Sequence, residues 1–427
     1  MSGSNAYEEI RKAAVALIEE RRIDPVADRS RARSVVAETV NDYQRRAHLG
    51  HTRALRDPAE MTDRVLGSIA DYGPLTELLS RPDIEEVFIE GSQVSFIDSS
   101  GILKALTVPT TEHENRQVVD RLLGATDRHL DTSSPIVQAR VLDDTARLTA
   151  VVSPIADKLS VTIRRYALRK ETLSSLVELG SLTPSAAGFL WSVMQTNLSA
   201  LVSGPPGAGK TSLLSAMIAA TPATHCIRCC EEVRELHVPI VHGSYYEARP
   251  PSLDGSGEIS LRDLVKVVLA MRPDRIIVGE VRGSEAFELT RAVNAGCGMC
   301  CTVHANSARD ALNALVNAAL MAGENVAEPI VRRVFAASID FVVHLDRDSS
   351  AATATGGLRR QVMEILSVVP SMTDDFSTEP LFNREALGKP LEWTGTMPPD
   401  QATRVIEASL PEGMTLRSVL EGRVSPL

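Results

Sequence analysis

Aromatic side chains are scarce here: 2 Trp, 6 Tyr and 8 Phe make up 4% of 427 residues. Proteins that track single-stranded nucleic acid need such rings as stacking platforms. Positive charge is also in deficit. Lys and Arg total 45 against 55 Asp and Glu, a net charge of −10, whereas a phosphate backbone calls for a basic face. Direct nucleic-acid binding is therefore not expected from bulk charge. A local basic stripe stays open, because arginine greatly outnumbers lysine and is the better fork for phosphate oxygens. No apolar run approaches the ~20 residues that span a bilayer. The start, Met1 to Ile10, is polar and carries Glu8 and Glu9, unlike the basic head and apolar core of an export signal. The expectation is a cytoplasmic chain without a transmembrane segment, peripheral to a membrane only through partners.

The six cysteines form two C-x-x-C-C clusters: Cys226, Cys229, Cys230 and Cys297, Cys300, Cys301. Two C-x-x-C pairs can make a tetrahedral zinc site. Each cluster lies in or beside an apolar strand, however, and alternate strand residues point to opposite faces. Packed, reduced thiols acting as small apolar side chains are the preferred reading.

Periodicity divides the chain into four stretches. Residues 1–60 read as helices, with Ile10, Ala13, Ala14, Leu17 and Ile18 on one face and a second helix over Asp28 to Ala47. Residues 61–170 read as a small α/β domain ending near Arg169. Its signals are a helix broken at Gly73-Pro74, a hairpin from Glu86 to Asp98, a helix at Val118 to Leu123, and strands at Arg140 to Leu142, Arg147 to Val152 and Ser160 to Arg164. Residues 171–382 carry short apolar strands at Ala200 to Val202, Cys226 to Cys229, Ile276 to Val278 and Cys300 to Val303, separated by helical stretches. That alternation predicts a parallel sheet covered on both faces. A further strand is expected over Gln361 to Val369. Residues 383–427, rich in Pro and Gly, read as a loosely packed tail. The fold class expected is α/β, a RecA-like P-loop core preceded by a smaller α/β domain and an N-terminal helical region.

One motif dominates the chemistry. Gly204-Pro205-Pro206-Gly207-Ala208-Gly209-Lys210-Thr211 fits G-x-x-x-x-G-K-[ST] in full, between a strand and a helix that opens with Ser212. Glycines let the N–H groups of such a loop wrap phosphates, and the following helix N-terminus adds partial positive charge. Lys210 is expected at the β/γ-phosphates of ATP, and the Thr211 hydroxyl on Mg²⁺. Arg272 to Gly283 is an apolar strand ending in a carboxylate, where Glu280 would hold Mg²⁺ or its water. Glu231, at another strand end, could orient the attacking water. His304, in Thr302 to Ser307, could contact the γ-phosphate. Taken alone, the acidic turn could be solvated surface and the histidine structural. Together these strand ends define one rim, the place where parallel sheets bind ligands.

The runs Arg262 to Lys266, Arg272 to Gly283 and Thr302 to Asp310 resemble the traffic ATPases of type II and type IV secretion, and most closely their tight-adherence (Flp-type) pilus branch. Tyr72-Gly73-Pro74-Leu75, Glu85-Glu86-Val87, Ser134-Pro135, Ala139-Arg140, Arg147 and Thr162 to Tyr166 are similar to that family's N-terminal domain. The resemblance covers roughly residues 60 to 370. It implies a homo-hexameric ATPase that drives an inner-membrane platform protein. It also implies that arginines of the first domain, here Arg147 and Arg164 with Arg140 nearby, approach the phosphates. The sequence departs from the family where Glu231-Glu232 replaces Glu-Asp, Gly296-Cys297 replaces Gly-His, Ala270 replaces Arg, and Asp144 to Arg147 replaces a D-G-x-R turn. Two other functions stay in view: a DNA-translocating RecA-like ATPase, and a weakly hydrolysing ATP-binding assembly factor.

Overall fold

The computed structural model describes residues 3–427 apart from 127, 167–170, 237, 250, 252–255, 295, 324, 349–358 and 370–374. Two compact units emerge, Met1–Tyr166 and Ala167–Leu427. The domain end expected near Arg169 lies outside the described residues.

The first unit begins with three helices, α1 (Gly3–Glu20), α2 (Arg29–His48) and α3 (Pro58–Ala70). Asp28 caps α2, accepting the Arg31 N–H at 3.2 Å. Ile10, Ala14 and Ile18 are buried as a stripe of α1, against Val35, Val36 and Val40 of α2 and Val65, Leu66 and Ile69 of α3. The helical layer therefore runs to Ala70 and not to residue 60, because the apolar stripe of α3 closes its core. A short helix α4 (Thr76–Ser80) leads into a six-stranded antiparallel sheet. Its strands are β1 (Ile84–Glu90), β2 (Gln93–Asp98) and β3 (Leu103–Ala105), then, after helix α5 (Glu112–Leu123), β4 (Ile136–Val141), β5 (Ala146–Val151) and β6 (Ser160–Arg165). The order is β3-β2-β1-β6-β5-β4. The short edge strand β3, fully exposed, carried no periodic signal.

The second unit opens with α6 (Leu173–Glu178) and α7 (Pro184–Met194), then alternates β7 (Ala200–Ser203), α8 (Lys210–Ala219), β8 (Ile227–Glu231), β9 (Gly243–Glu247), α9 (Leu261–Leu269), β10 (Arg275–Val278), α10 (Glu285–Asn294), β11 (Gly298–Val303), α11 (Ala308–Leu320), α12 (Glu328–Ser338) and β12 (Phe341–Arg347). Strands β13 (Arg360–Val369), β14 (Ser377–Asn383) and β15 (Glu392–Trp393) follow, with α13 (Asp400–Ser409) and α14 (Leu416–Leu420). The sheet has nine strands in the order β15-β14-β13-β12-β7-β11-β10-β8-β9. The run from β12 to β9 is parallel, as expected, and β13 to β15 extend it antiparallel. One face is covered by α6, α7, α8, α13 and α14, the other by α9 to α12.

Two expectations need correction. Residues 383–427 are not a loose tail. Leu391, Ala402, Ile406, Leu416 and Leu420 are buried in the same core as α7, and a Cβ at Gly188 would stand 3.0 Å from both Pro426 and Val419. The few apolar residues there sit at helical spacing, and they pack although the intervening Pro and Gly suggested otherwise. β12 was not foreseen, because Phe341–Leu345 continues an apolar helical stretch and only pairing with β7 makes it a strand. Five of the six cysteines are buried and pack as apolar side chains, while Cys226 is half-buried. Cys229 and Cys300 sit in the core on one face of the sheet, Cys230 and Cys301 in the core on the other, and β10 lies between their two strands. Burial pushes the Cys230 thiol up to about 12 and that of Cys297 up to about 11.

Candidate functional site

The four buried residues of β7 deliver the chain to the loop Gly204–Gly209, and α8 starts at Lys210. Gly204 and Gly207 have φ of 153° and 74°. A Cβ at Gly204 would lie 2.5 Å from the Leu345 carbonyl oxygen, and one at Gly207 2.8 Å from Arg347 Nη1. Both positions thus require glycine on conformational and steric grounds. Pro205 and Pro206 lie in the loop, Ala208 is buried beneath it, and Thr211 and Ser212 occupy the first turn of α8.

Lys210 is buried, and its ammonium donates to the carbonyls of Gly204 at 3.0 Å and Pro205 at 3.2 Å and to His304 Nδ1 at 3.1 Å. An ammonium has no lone pair, so Nδ1 accepts and Nε2 carries the ring hydrogen. Nε2 meets Glu280 Oε1, and Glu280 Oε2 takes Arg282 Nη2 at 2.5 Å. Burial and the neighbouring Lys210 charge lower the His304 pKa, which keeps the ring neutral at pH 7. Arg282, Glu280, His304 and Lys210 therefore form one continuous polar chain from the end of β10 to the phosphate loop. The sequence placed three of these at the rim. It did not single out Arg282.

The acidic box is arranged differently from the expectation. Glu231 is 4% exposed and turned inward. Its Oε1 accepts the N–H of Glu235 at 3.1 Å and of Leu236 at 3.2 Å. A Cβ on Gly279 would fall 2.7 Å from its Cγ. Burial raises its pKa to about 8, so near neutrality the carboxyl is protonated. A neutral, buried acid is a poor water-orienting base. The carboxylate that reaches the Thr211 hydroxyl, at 3.4 Å, is Glu235, which the sequence reading passed over. Its position four residues beyond Glu231, where the strand has ended, was the available signal. Thr211, Glu235 and Glu280 present the hard oxygen donors that suit Mg²⁺.

Arg147 and Arg164 belong to the other unit. There the register sets Glu86 opposite Arg164, Arg164 opposite Arg147 and Arg147 opposite Arg140. These residues form one row across four strands. Arg147 Nη2 donates to Gln138 Oε1 at 2.7 Å. Arg164 lies 3.6 Å from Glu86, and Arg140 3.7 Å from Asp144. Like charges directly opposite on paired strands are unfavourable for the sheet, and here each of the three arginines has a polar or acidic neighbour.

The family model for type II/IV secretion system proteins matches residues 69–369. A Mycobacterium tuberculosis protein described as a conjugal transfer protein is 31% identical over 327 residues, 74% of this chain and 89% of that one. The type IV secretion system protein PtlH of Bordetella pertussis is 29% identical over 320 residues, covering 67% and 91%. The pilus retraction motor PilT with bound ADP is similar in structure at a TM-score of 0.49 and 16% identity, covering 82% of this chain and 86% of that one. The chain belongs to the type II/IV secretion system protein family, and with its complete phosphate loop it is an ATPase of that family.

Proposed function

We propose that this family member is a cytoplasmic motor that couples ATP hydrolysis to movement of an inner-membrane platform protein, assembling a pilus or exporting a substrate. The tight-adherence pilus branch is the one its motifs resemble most, and a homo-hexamer is the assembly proposed. The observation that carries the reading is the polar chain from Arg282 through Glu280 and His304 to Lys210. It joins the carboxylate at the end of β10 to the lysine of the phosphate loop. Among the described residues no helix is long and apolar enough to cross a membrane, which suits attachment through a partner.

In this reading the loop amides and Lys210 hold the β/γ-phosphates. Thr211, Glu235 and Glu280 would hold Mg²⁺, which supplies charge neutralisation at the phosphates. Glu280, held between the Arg282 guanidinium and the His304 ring, is the carboxylate proposed to orient the attacking water. His304 stays neutral, fixes the Glu280 rotamer through Nε2–H and returns Lys210 to place through Nδ1. Glu231 anchors the loop after β8 to its amides. Arg147 and Arg164 are proposed to meet the phosphates from the first unit, as guanidinium forks suited to a phosphoryl group.

Phosphate release by the purified chain with Mg²⁺ and ATP tests the proposal. Turnover in the wild type that Lys210→Ala abolishes is the expected result. No turnover in the wild type, with ATP still bound, would instead favour a weakly hydrolysing assembly factor. Turnover that rises with added DNA would favour a translocase.

A further inference from the structure

The three positive-φ glycines of the phosphate loop share one neighbour. The nearest atom to a Cβ on Gly204 is the Leu345 carbonyl oxygen, on Gly207 it is Arg347 Nη1 at 2.8 Å, and on Gly209 it is Arg360 Cδ at 3.7 Å. All three come from the β12–β13 hairpin. The register explains this placement. β12 runs parallel to β7 with His344 beside Ser203, so the next residues of β12 must pass alongside the loop that follows Ser203. Arg347 and Arg360 stand opposite each other at the end of that hairpin. Ser203 and His344 are both buried and joined, Oγ to Nδ1, at 3.0 Å, so the hairpin and the loop are tied together just beneath the site.

Two guanidinium-bearing residues directly opposite each other repel, and both are half-buried. The neighbouring Asp346 carboxylate accepts the Arg347 backbone N–H at 2.7 Å, a bond to the main chain and not to the guanidinium. Arg347 therefore holds its guanidinium against the turn of the phosphate loop, at Gly207.

We infer that Arg347, supported by Arg360, is a second phosphate-contacting cation of the nucleotide site, contributed by the same chain from the β12–β13 hairpin. This rests on the ATPase reading above. The ligand chemistry is a nucleoside di- or triphosphate. Arg347 puts a planar fork beside the middle of the loop, whereas Lys210 acts from its end. Arg360, whose aliphatic stem lies on Gly209, has the smaller share.

The test is isothermal titration of the full-length chain with ADP and with a slowly hydrolysed ATP analogue, comparing wild type, Lys210→Ala, Arg347→Gln, Arg347→Lys and Arg360→Gln. Loss of a charge-assisted contact predicts about 10- to 100-fold weaker binding of both nucleotides by Arg347→Gln. Partial recovery is expected in Arg347→Lys, and a loss of only a few-fold in Arg360→Gln. The difference between wild type and Arg347→Gln should shrink as salt is raised. Arg347→Gln binding as tightly as wild type overturns the inference while leaving the ATPase reading intact. So do equal losses in Arg347→Gln and Arg347→Lys accompanied by a fall in the nucleotide-free melting temperature, since that is the mark of a purely structural arginine. If wild type binds neither nucleotide, the ATPase reading itself fails, and with it the site.

Discussion

The two sheets use opposite designs. In the first unit every pairing is antiparallel, and β5 alternates strictly between buried and half-buried residues. One face packs on the core, and the other displays side chains, among them the row Arg164, Arg147 and Arg140. In the second unit β7, β10 and β11 are buried at every position. With both faces covered, only the strand ends are left: Glu280 and His304 sit just past such ends, and Lys210 follows the loop that leaves β7. A sheet with one open face can carry charge by register. A sheet buried on both faces carries it by connectivity.

Substitutions at the two places should separate these designs. The largest effect is expected at the strand-end site: Lys210→Ala should lower phosphate release on the order of 10³-fold or more, with the melting temperature nearly unchanged. Residual turnover close to wild type would remove the phosphate loop from the chemistry. Glu280→Gln should come next, cutting steady-state turnover by about 10³-fold while ATP still binds, because the amide cannot accept a proton. Equilibrium binding beside turnover checks it, and loss of both together would make Glu280 structural.

The face-borne arginines should give a different signature. Arg164→Ala is expected to lower turnover by about 10²- to 10³-fold with ADP affinity little changed, since ATP brings the additional charge. If Arg164 only pairs with Glu86, the change will be about 1 kcal/mol or less, and turnover will stay normal. Either outcome tells whether the open face serves catalysis.

The smallest effect concerns Glu231. Its folded pKa of about 8 lies above the ordinary 4.5, so the folded state keeps a proton that the unfolded chain releases. Its contribution to stability is full below about pH 4.5 and is lost as pH rises through about 8. Melting temperature should therefore fall between pH 5 and pH 8, and Glu231→Gln should flatten that part of the profile while keeping most of the turnover. A Glu231→Gln protein that stalls like Glu280→Gln would restore a catalytic role to the acidic box.

Much of this was legible beforehand for identifiable reasons. The hairpin at Glu86 to Asp98, the parallel strands and the loop before α8 rest on local signals: alternation, apolar runs and glycine at fixed offsets. Glu235 was passed over because it matters through Thr211, 24 residues earlier, and Arg282 because its role lies in a side-chain contact with Glu280 that no motif spacing marks. β12 and the helices beyond residue 400 were misread because their burial comes from β7 and α7, nearly 150 residues or more away.

The sequence by itself determined that a phosphate loop stands between a buried strand and a helix, since its glycines and Lys210 act through backbone geometry and fixed spacing. It also determined the alternating elements of the sheet, since periodicity is local. Only the tertiary structure decided how the two rim carboxylates differ. Glu231 and Glu280 are the same residue type at equivalent strand ends. One is closed under Gly279 against backbone amides, where burial raises its pKa to about 8; the other meets His304 and Arg282. Protonation follows from desolvation and neighbouring charge, and both are set by three-dimensional packing.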